Sequence, residues 1–214
     1  MIPNEIREKL QDIVRGACLQ GSADRCSTIR NFLVESFGAD STVKREFESR
    51  AVVKEKQVGF LKSWAKETGL LLDSLPSGSA YLTRGGESEV YLTADGLNVI
   101  KSNDGIYYAT WTEYFNSLVI HNLLFPSTAY TILGFIENDN NINVVLEQPF
   151  IEGEQARLDD IRELLTFNGF ENTKRQDYYN KEFGLVLEDM HDENVIARGD
   201  ILFFIDTVFY VMAK

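Results

Sequence analysis

The chain has 214 residues, 44% of them hydrophobic and 25% charged, which is the balance of an ordinary globular protein with room for one large domain or two small lobes. Its formal net charge of -12 argues against a nucleic-acid backbone as the main partner, because such binding neutralises phosphates with Lys and Arg. No apolar run approaches the roughly 20 residues that cross a bilayer, and no basic start precedes an apolar core at the N-terminus, so the expectation is a cytoplasmic protein with no membrane partner. Cys18 and Cys26, the only cysteines, have neither CxxC spacing nor a nearby His, and read as reduced thiols.

The first seventy or so residues read as a helical region, 1–75. Ile6, Leu10, Ile13, Val14 and Ala17 repeat at three and four. Ser22 is placed to cap a second helix, with Ile29, Phe32, Leu33 and Phe37 on one face and Gly38 at its end. A third pattern runs through Val43, Phe47, Ala51, Val58, Leu61 and Ala65 and stops at Gly69. Leu75-Pro76-Ser77-Gly78-Ser79 then breaks the periodicity and marks a boundary. Strands are predicted over 80–84, 89–93 and 97–102, with Asp95-Gly96 turning the last pair. A helix follows over 107–125, a hairpin over 130–137 and 142–148, a helix over 157–167 closed by Gly169, and short strands over 184–187, 194–197 and 201–205. The N-terminal helices are expected to pack beneath the last hairpin.

The most informative stretch is Leu187-Glu188-Asp189-Met190-His191-Asp192-Glu193-Asn194-Val195, followed by Ile201-Leu202-Phe203-Phe204-Ile205-Asp206. A two-residue turn at Gly199-Asp200 pairs 198 with 201 and so sets Asn194 opposite Ile205, next to Asp206. An amide oxygen and a carboxylate can then converge on one hard cation, with magnesium the fitting choice. Asp206 ends an apolar run, where a buried carboxylate without a partner would be costly and a metal would remove the cost. Asp189 can face the same place without being a ligand, as a base for an incoming hydroxyl must. His191 is expected to orient this loop and His121 to be a packed helix residue.

Three weaker signals precede it. Gly85-Gly86, with Ser88 just beyond, can bring backbone N–H groups close to phosphate oxygens. Lys101 ends an apolar strand and can reach phosphates. The helix that follows is apolar on both sides, and its one acidic residue, Glu113, wants a cation, with Lys101 the obvious partner. The strand through Glu147 meets Pro149 and Phe150, where unpaired backbone groups could read adenine; an edge strand stopped by Pro149 is the competing reading.

Taken in order, these pieces resemble the protein-kinase-like superfamily. Gly85-Gly86-Glu87-Ser88-Glu89-Val90-Tyr91 is similar to its glycine-rich loop, Val99-Ile100-Lys101 to its third-strand lysine, and Glu113 to its helix glutamate. Asp189-Met190-His191-Asp192-Glu193-Asn194 resembles the catalytic loop of aminoglycoside phosphotransferases, and Ile205-Asp206 their metal-binding pair. With Asn122-Leu123-Leu124-Phe125-Pro126, Gly134-Phe135 and Glu147-Gln148-Pro149-Phe150, the chain is most similar to the kinase domain of bacterial polyvalent proteins of phages and mobile elements. The resemblance implies an α+β, minimal two-lobed kinase-like fold over 80–214. The N-lobe, an antiparallel sheet with one helix, would cover about 80–148 and a reduced C-lobe about 150–214. It also implies ATP and Mg2+ as cofactors. Asp189, Lys101 and Glu113 would be catalytic, Gly85, Gly86, Ser88, Lys101, Glu147 and Phe150 would hold nucleotide, and Asn194 and Asp206 would hold the metal. The acceptor stays open between a protein and a small-molecule hydroxyl. A pseudokinase that acts as a nucleotide-binding or interaction module without turnover and a nucleotidyl transferase are the alternatives.

Overall fold

The computed structural model describes residues 2–38, 50–85, 88–139 and 141–212, and the chain divides into two compact units. One comprises 23–115 and 130–150; the other comprises 1–22, 116–129 and 151–214. The helices of the N-terminal region divide between them.

The first unit is built on a five-stranded antiparallel sheet ordered β1-β2-β3-β5-β4. Its strands are β1 (Ala80–Arg84), β2 (Ser88–Leu92), β3 (Asn98–Asn103), β4 (Thr131–Asn138) and β5 (Asn141–Pro149). These follow the predicted runs to within about two residues, because turn residues bound each run sharply. Gly96, at φ 71°, supplies the left-handed conformation needed between β2 and β3. One face is covered by α2 (Arg25–Phe37) and α3 (Arg50–Glu67), whose Ile29, Leu33, Val58, Leu61 and Ala65 are buried. The cap of α2 is Asp24 rather than Ser22. Its carboxylate accepts the Ser27 N–H at 2.9 Å, and a carboxylate three residues ahead satisfies an N-terminal amide that Ser22 is too early to reach. Val43 and Phe47, predicted on the third helix, lie outside the described residues, as do Gly86 and Glu87.

In the second unit α1 (Asn4–Val14) buries Leu10 and Ile13, and Arg7 pairs with Glu182 and covers the Phe183 ring. Thus α1 belongs to the unit that holds the last hairpin, while α2 and α3 lie on the other sheet. Two small antiparallel sheets follow. One is β11-β10-β6, from β6 (Glu154–Gln155), β10 (Val195–Arg198) and β11 (Ile201–Phe204). The other is β12-β9-β8-β7, from β7 (Glu171–Lys174), β8 (Asp177–Asn180), β9 (Leu185–Glu188) and β12 (Val208–Val211). Helix α5 (Leu158–Phe167) ends at Gly169, φ 83°, as predicted. An apolar cavity of about 260 Å³ in this unit is lined by Leu124, Phe125, Leu165, Phe170, Phe203 and Phe204, among others, and by none of Asp189, Asn194 or Asp206.

Helix α4 (Trp111–Leu124) begins in the first unit and ends in the second. It is buried all round, as its sequence predicts: Trp111, Phe115, Ile120 and His121 are each 0% exposed. It starts four residues later than predicted, because Thr110 accepts the Glu113 N–H at 3.1 Å and so caps it.

Gly134 sits at a register shift in β4, where a Cβ would lie 2.4 Å from the Leu70 carbonyl oxygen and 2.7 Å from Leu72. The backbone there cannot retreat, since Leu72 N–H and Phe135 N–H bond across it at 2.7 and 2.8 Å. Gly134→Ala is expected to lower stability by about 1–3 kcal/mol in urea denaturation, the usual cost of overpacking.

Candidate functional site

The polar cluster of the second unit is assembled by the β10–β11 hairpin. Its register, Arg198 opposite Ile201 and Val195 opposite Phe204, is the one that a two-residue turn dictates, and Gly199 takes the positive φ of 60° at that turn. Asn194, the last residue of a 3-10 turn over Asp192–Asn194, therefore meets Ile205. Its carbonyl accepts the N–H groups of Ile205 and Asp206 at 3.0 and 3.4 Å.

Asp189 lies in the loop between β9 and that turn, at φ 64°. Aspartate tolerates this left-handed region better than most residues. The conformation is held on both sides: Asp189 N–H donates to the Asp177 carboxylate at 3.2 Å, and Met190 N–H to the Gln176 carbonyl at 3.0 Å. Met190 is fully buried and pins the loop. The Asn194 side chain donates to the Asp189 carbonyl at 2.8 Å, and His191 Nε2 lies 3.2 Å from an Asp189 carboxylate oxygen. His191 thus orients the loop, as expected.

These bonds leave two oxygens uncommitted. The Asn194 amide nitrogen is turned to Asp189, so its Oδ1 accepts no hydrogen bond among the described residues, and the Asp206 carboxylate has no partner there either. An amide oxygen and a carboxylate, on residues joined through the Asn194 carbonyl and the Asp206 N–H, are ligand types that suit a hard divalent cation taking its remaining ligands from phosphate and water. Among the described residues no cluster of three or more His, Cys, Asp or Glu could hold a metal ion, so a cation here would rest on this pair. One argument is corrected: Asp206 is exposed, not buried, because it stands just past the end of β11. The cost of burying a charge does not call for a metal at this position.

Beneath the pair lies a buried polar brace. His121 Nε2 donates to the Thr128 carbonyl at 2.9 Å and Nδ1 lies 2.8 Å from Thr207 Oγ1, beside Asp206. Thr128 Oγ1 donates to the Phe204 carbonyl at 2.6 Å. Sequence reasoning placed His121 in the core but missed this role, since Thr207 lies 86 residues away.

In the first unit Lys101 stands inside β3, opposite Val90 and Leu146, rather than at the strand's end. It is 7% exposed, and its ammonium lies 5.3 Å from the centre of the Tyr130 ring. A lysine so nearly buried is not a solvated strand-end charge. Glu113 lies in the first turn of α4. One of its oxygens accepts the Ala109 N–H at 3.0 Å and the other lies 3.3 Å from the Arg50 guanidinium. Thr110-x-x-Glu113 is a variant of the capping box, a signal that the sequence carries and that went unread. Arg50 was likewise not foreseen.

Gly85 N–H donates to the Ser88 carbonyl at 2.9 Å, and Ser88 Oγ accepts from Asn103 at 3.0 Å; Gly86 lies outside the described residues. At the far end of the sheet the edge-strand reading of Pro149 is corrected. Strand β5 is central, between β3 and β4, and its pairing continues to Asn98 opposite Pro149. The Phe150 N–H is not free but donates to the Leu97 carbonyl at 2.9 Å. Glu147, paired with both Ile100 and Thr131, lies within the sheet.

Sheet, lysine strand, capped helix and acidic hairpin occur in an order compatible with a kinase-like domain, and residues 54–213 match the family described as Serine/Threonine/Tyrosine Kinase found in polyvalent proteins. The chain belongs to that family. No curated protein matches it.

Partial burial, then the charges of Asp177 and Asp189, push the Glu188 carboxyl above its ordinary value. A carboxyl raised on folding favours its protonated form in the native state. It therefore costs nothing below the ordinary carboxylate range and destabilises once the pH passes its raised value. Glu188→Gln is expected to leave stability unchanged at about pH 4 and to raise it modestly, by less than about 1 kcal/mol, at about pH 7 in denaturant titrations, since the residue stays exposed.

Proposed function

We propose that the chain is an ATP- and magnesium-dependent phosphotransferase acting on a hydroxyl of a protein or a small molecule. The observation that supports it most is the pair of uncommitted oxygens on Asn194 and Asp206, with Asp189 bonded to the same asparagine. In this reading the pair holds magnesium, which would neutralise charge on the transferring phosphoryl group. The Asp189 side chain, 65% exposed and steadied by His191, accepts the proton of the acceptor hydroxyl as the new oxygen–phosphorus bond forms and ADP leaves. Lys101 binds phosphate, Glu113 fixes the end of α4 from which it can steady Lys101, and the Gly85-Gly86 loop with Ser88 covers the phosphates. Because the Phe150 N–H is engaged, adenine would be met by Glu147 and the Phe150 ring rather than by that amide.

A second reading, nucleotide binding without turnover, has one observation in its favour. Val208 already belongs to β12 and pairs with Glu188, so no segment lies between Asp206 and the next strand to dock a peptide.

Incubation of the purified chain with γ-labelled ATP and magnesium, with candidate hydroxyl acceptors, tests the first reading. Label is expected to transfer, to stop on chelation, and to fall at least about 100-fold in Asp189→Ala, the usual scale for loss of a general base. Asp189→Ala should still bind ATP, whereas Asp206→Ala should lose the magnesium-dependent part of binding. Binding without transfer favours the second reading, and transfer of an α-phosphate label favours nucleotidyl transfer. Absence of any ATP binding sinks both transfer readings and leaves the chain an interaction module.

A further inference from the structure

Helix α3 was expected to belong to a separate helical region, yet its first turns are bonded to the segment that carries Glu113. Arg50, Lys54 and Gln57 recur at intervals of four and three, so they lie on one face of the helix. Each has its own target. Arg50 lies 3.3 Å from a Glu113 carboxylate oxygen. The Lys54 ammonium donates to the carbonyls of Gly105 and Tyr108, at 2.7 and 2.8 Å, and lies 6.0 Å from the Trp111 ring centre. Gln57, 1% exposed, accepts the Trp111 N–H at 2.8 Å and donates to Thr112 Oγ1 at 2.8 Å.

The Gln57 bonds are the most telling. A helix leaves its first N–H groups without partners inside the helix. In α4 one is met by Thr110 of the same chain segment, but the Trp111 N–H is met by a side chain 54 residues earlier. A buried amide that is doubly bonded in this way permits one placement of the two helices and penalises others, because shifting either would leave polar groups buried without partners. The turn before α4 is close-packed as well, since Gly105 stands at φ 63° and a Cβ there would sit 3.2 Å from the Trp111 ring, tighter than an ordinary contact.

We propose that α3 is a clamp on the N-terminus of α4, with Arg50, Lys54 and Gln57 as positioning residues that fix the Glu113 carboxylate and, through it, the Lys101 ammonium for phosphate. The last part rests on the proposed function, in which Glu113 pairs with Lys101 and Lys101 binds phosphate. The clamp itself does not. Its polar half, residues 50–57, sits on the approach to α4, while the apolar half, Val58, Leu61 and Ala65, is buried with the sheet. One helix thereby ties the placement of Glu113 to the packing of the sheet that bears Lys101.

Two measurements on the whole chain test this. In amide hydrogen exchange, Gln57→Leu is expected to speed exchange at Trp111 to Glu113 while leaving the amides of β3 and β5 protected. Unchanged protection at Trp111 overturns the clamp, whether or not nucleotide binds. In binding titrations, Arg50→Ala is expected to weaken ATP with magnesium by about tenfold, a usual scale for coupling between neighbouring groups, and to leave adenosine binding unchanged. Arg50→Lys should restore ATP affinity to within about twofold of the parent, because charge rather than shape is what Glu113 needs. Equal weakening of ATP and adenosine, or no weakening of either in a parent that binds ATP, overturns the link to Lys101. A parent that binds no ATP refutes the phosphate role of Lys101, and with it this link, and leaves the exchange result to decide the clamp.

Discussion

The two-residue turn at Gly199-Asp200 sets the register on which the candidate metal pair depends. With Val195 opposite Phe204, the hairpin turns its buried residues, Val195, Phe203 and Phe204, into the unit and carries the chain past Ile205 to an exposed Asp206. A slip of one residue would exchange the two faces of the hairpin and separate Asn194 from Asp206. The slip is opposed from below. The Phe204 ring stacks on Phe125 at 4.2 Å, and its carbonyl is held by Thr128, which shares His121 with Thr207. The residue before Asp206 and the residue after it are thus both tied down, Ile205 to the Asn194 carbonyl through its backbone and Thr207 to the buried His121 through its side chain.

The loop that carries Asp189 is organised by the same economy of partners. Its left-handed residue costs on the order of 1 kcal/mol and persists only where its surroundings over-determine it. Asp177, Gln176, Asn194 and His191 all bond to it or to its neighbour. Because the Asn194 amide has only one acceptor oxygen and one nitrogen to direct, holding Asp189 with the nitrogen decides where the oxygen is available. The placement of the proposed base and the choice of proposed metal ligand are therefore one geometric decision, not two.

Much of this was legible in the residues, and the reasons differ from place to place. The β10–β11 register could be read because a two-residue turn leaves no freedom, and α4 because its apolar residues cover every side. The β7–β8 hairpin could not be read: β7 is Glu-Asn-Thr-Lys, wholly exposed, with no alternation to betray a strand. Its turn runs through Arg175 at φ 52°, a conformation that arginine does not advertise. The two-residue β6 is too short for any period to register. Arg50, Lys54 and Gln57 read as the polar side of a helix, because only the fold brings a residue 54 positions away to cap α4. The end of β5 was misjudged for a related reason. Pro149 stops a ladder on its own N–H side but does not prevent a central strand from continuing its pairing on the other.

Glu113 is where local and global demands meet. As part of a capping box it is tied to the Ala109 N–H, and as an acid it faces Arg50 of α3. A glutamate in the first turn is not free to swing as one at mid-helix could be, because its carboxylate would abandon a backbone donor that has no other cap. Any displacement of its carboxylate that keeps the Ala109 bond must then come from moving the start of α4 as a body. The Gln57 and Lys54 bonds resist that motion directly, since both end on residues 105–112. If the Lys101 site is adjustable at all in this chain, the adjustment has to pass through α3, and the first bond to yield would be the half-exposed Arg50–Glu113 pair rather than the buried amide of Gln57.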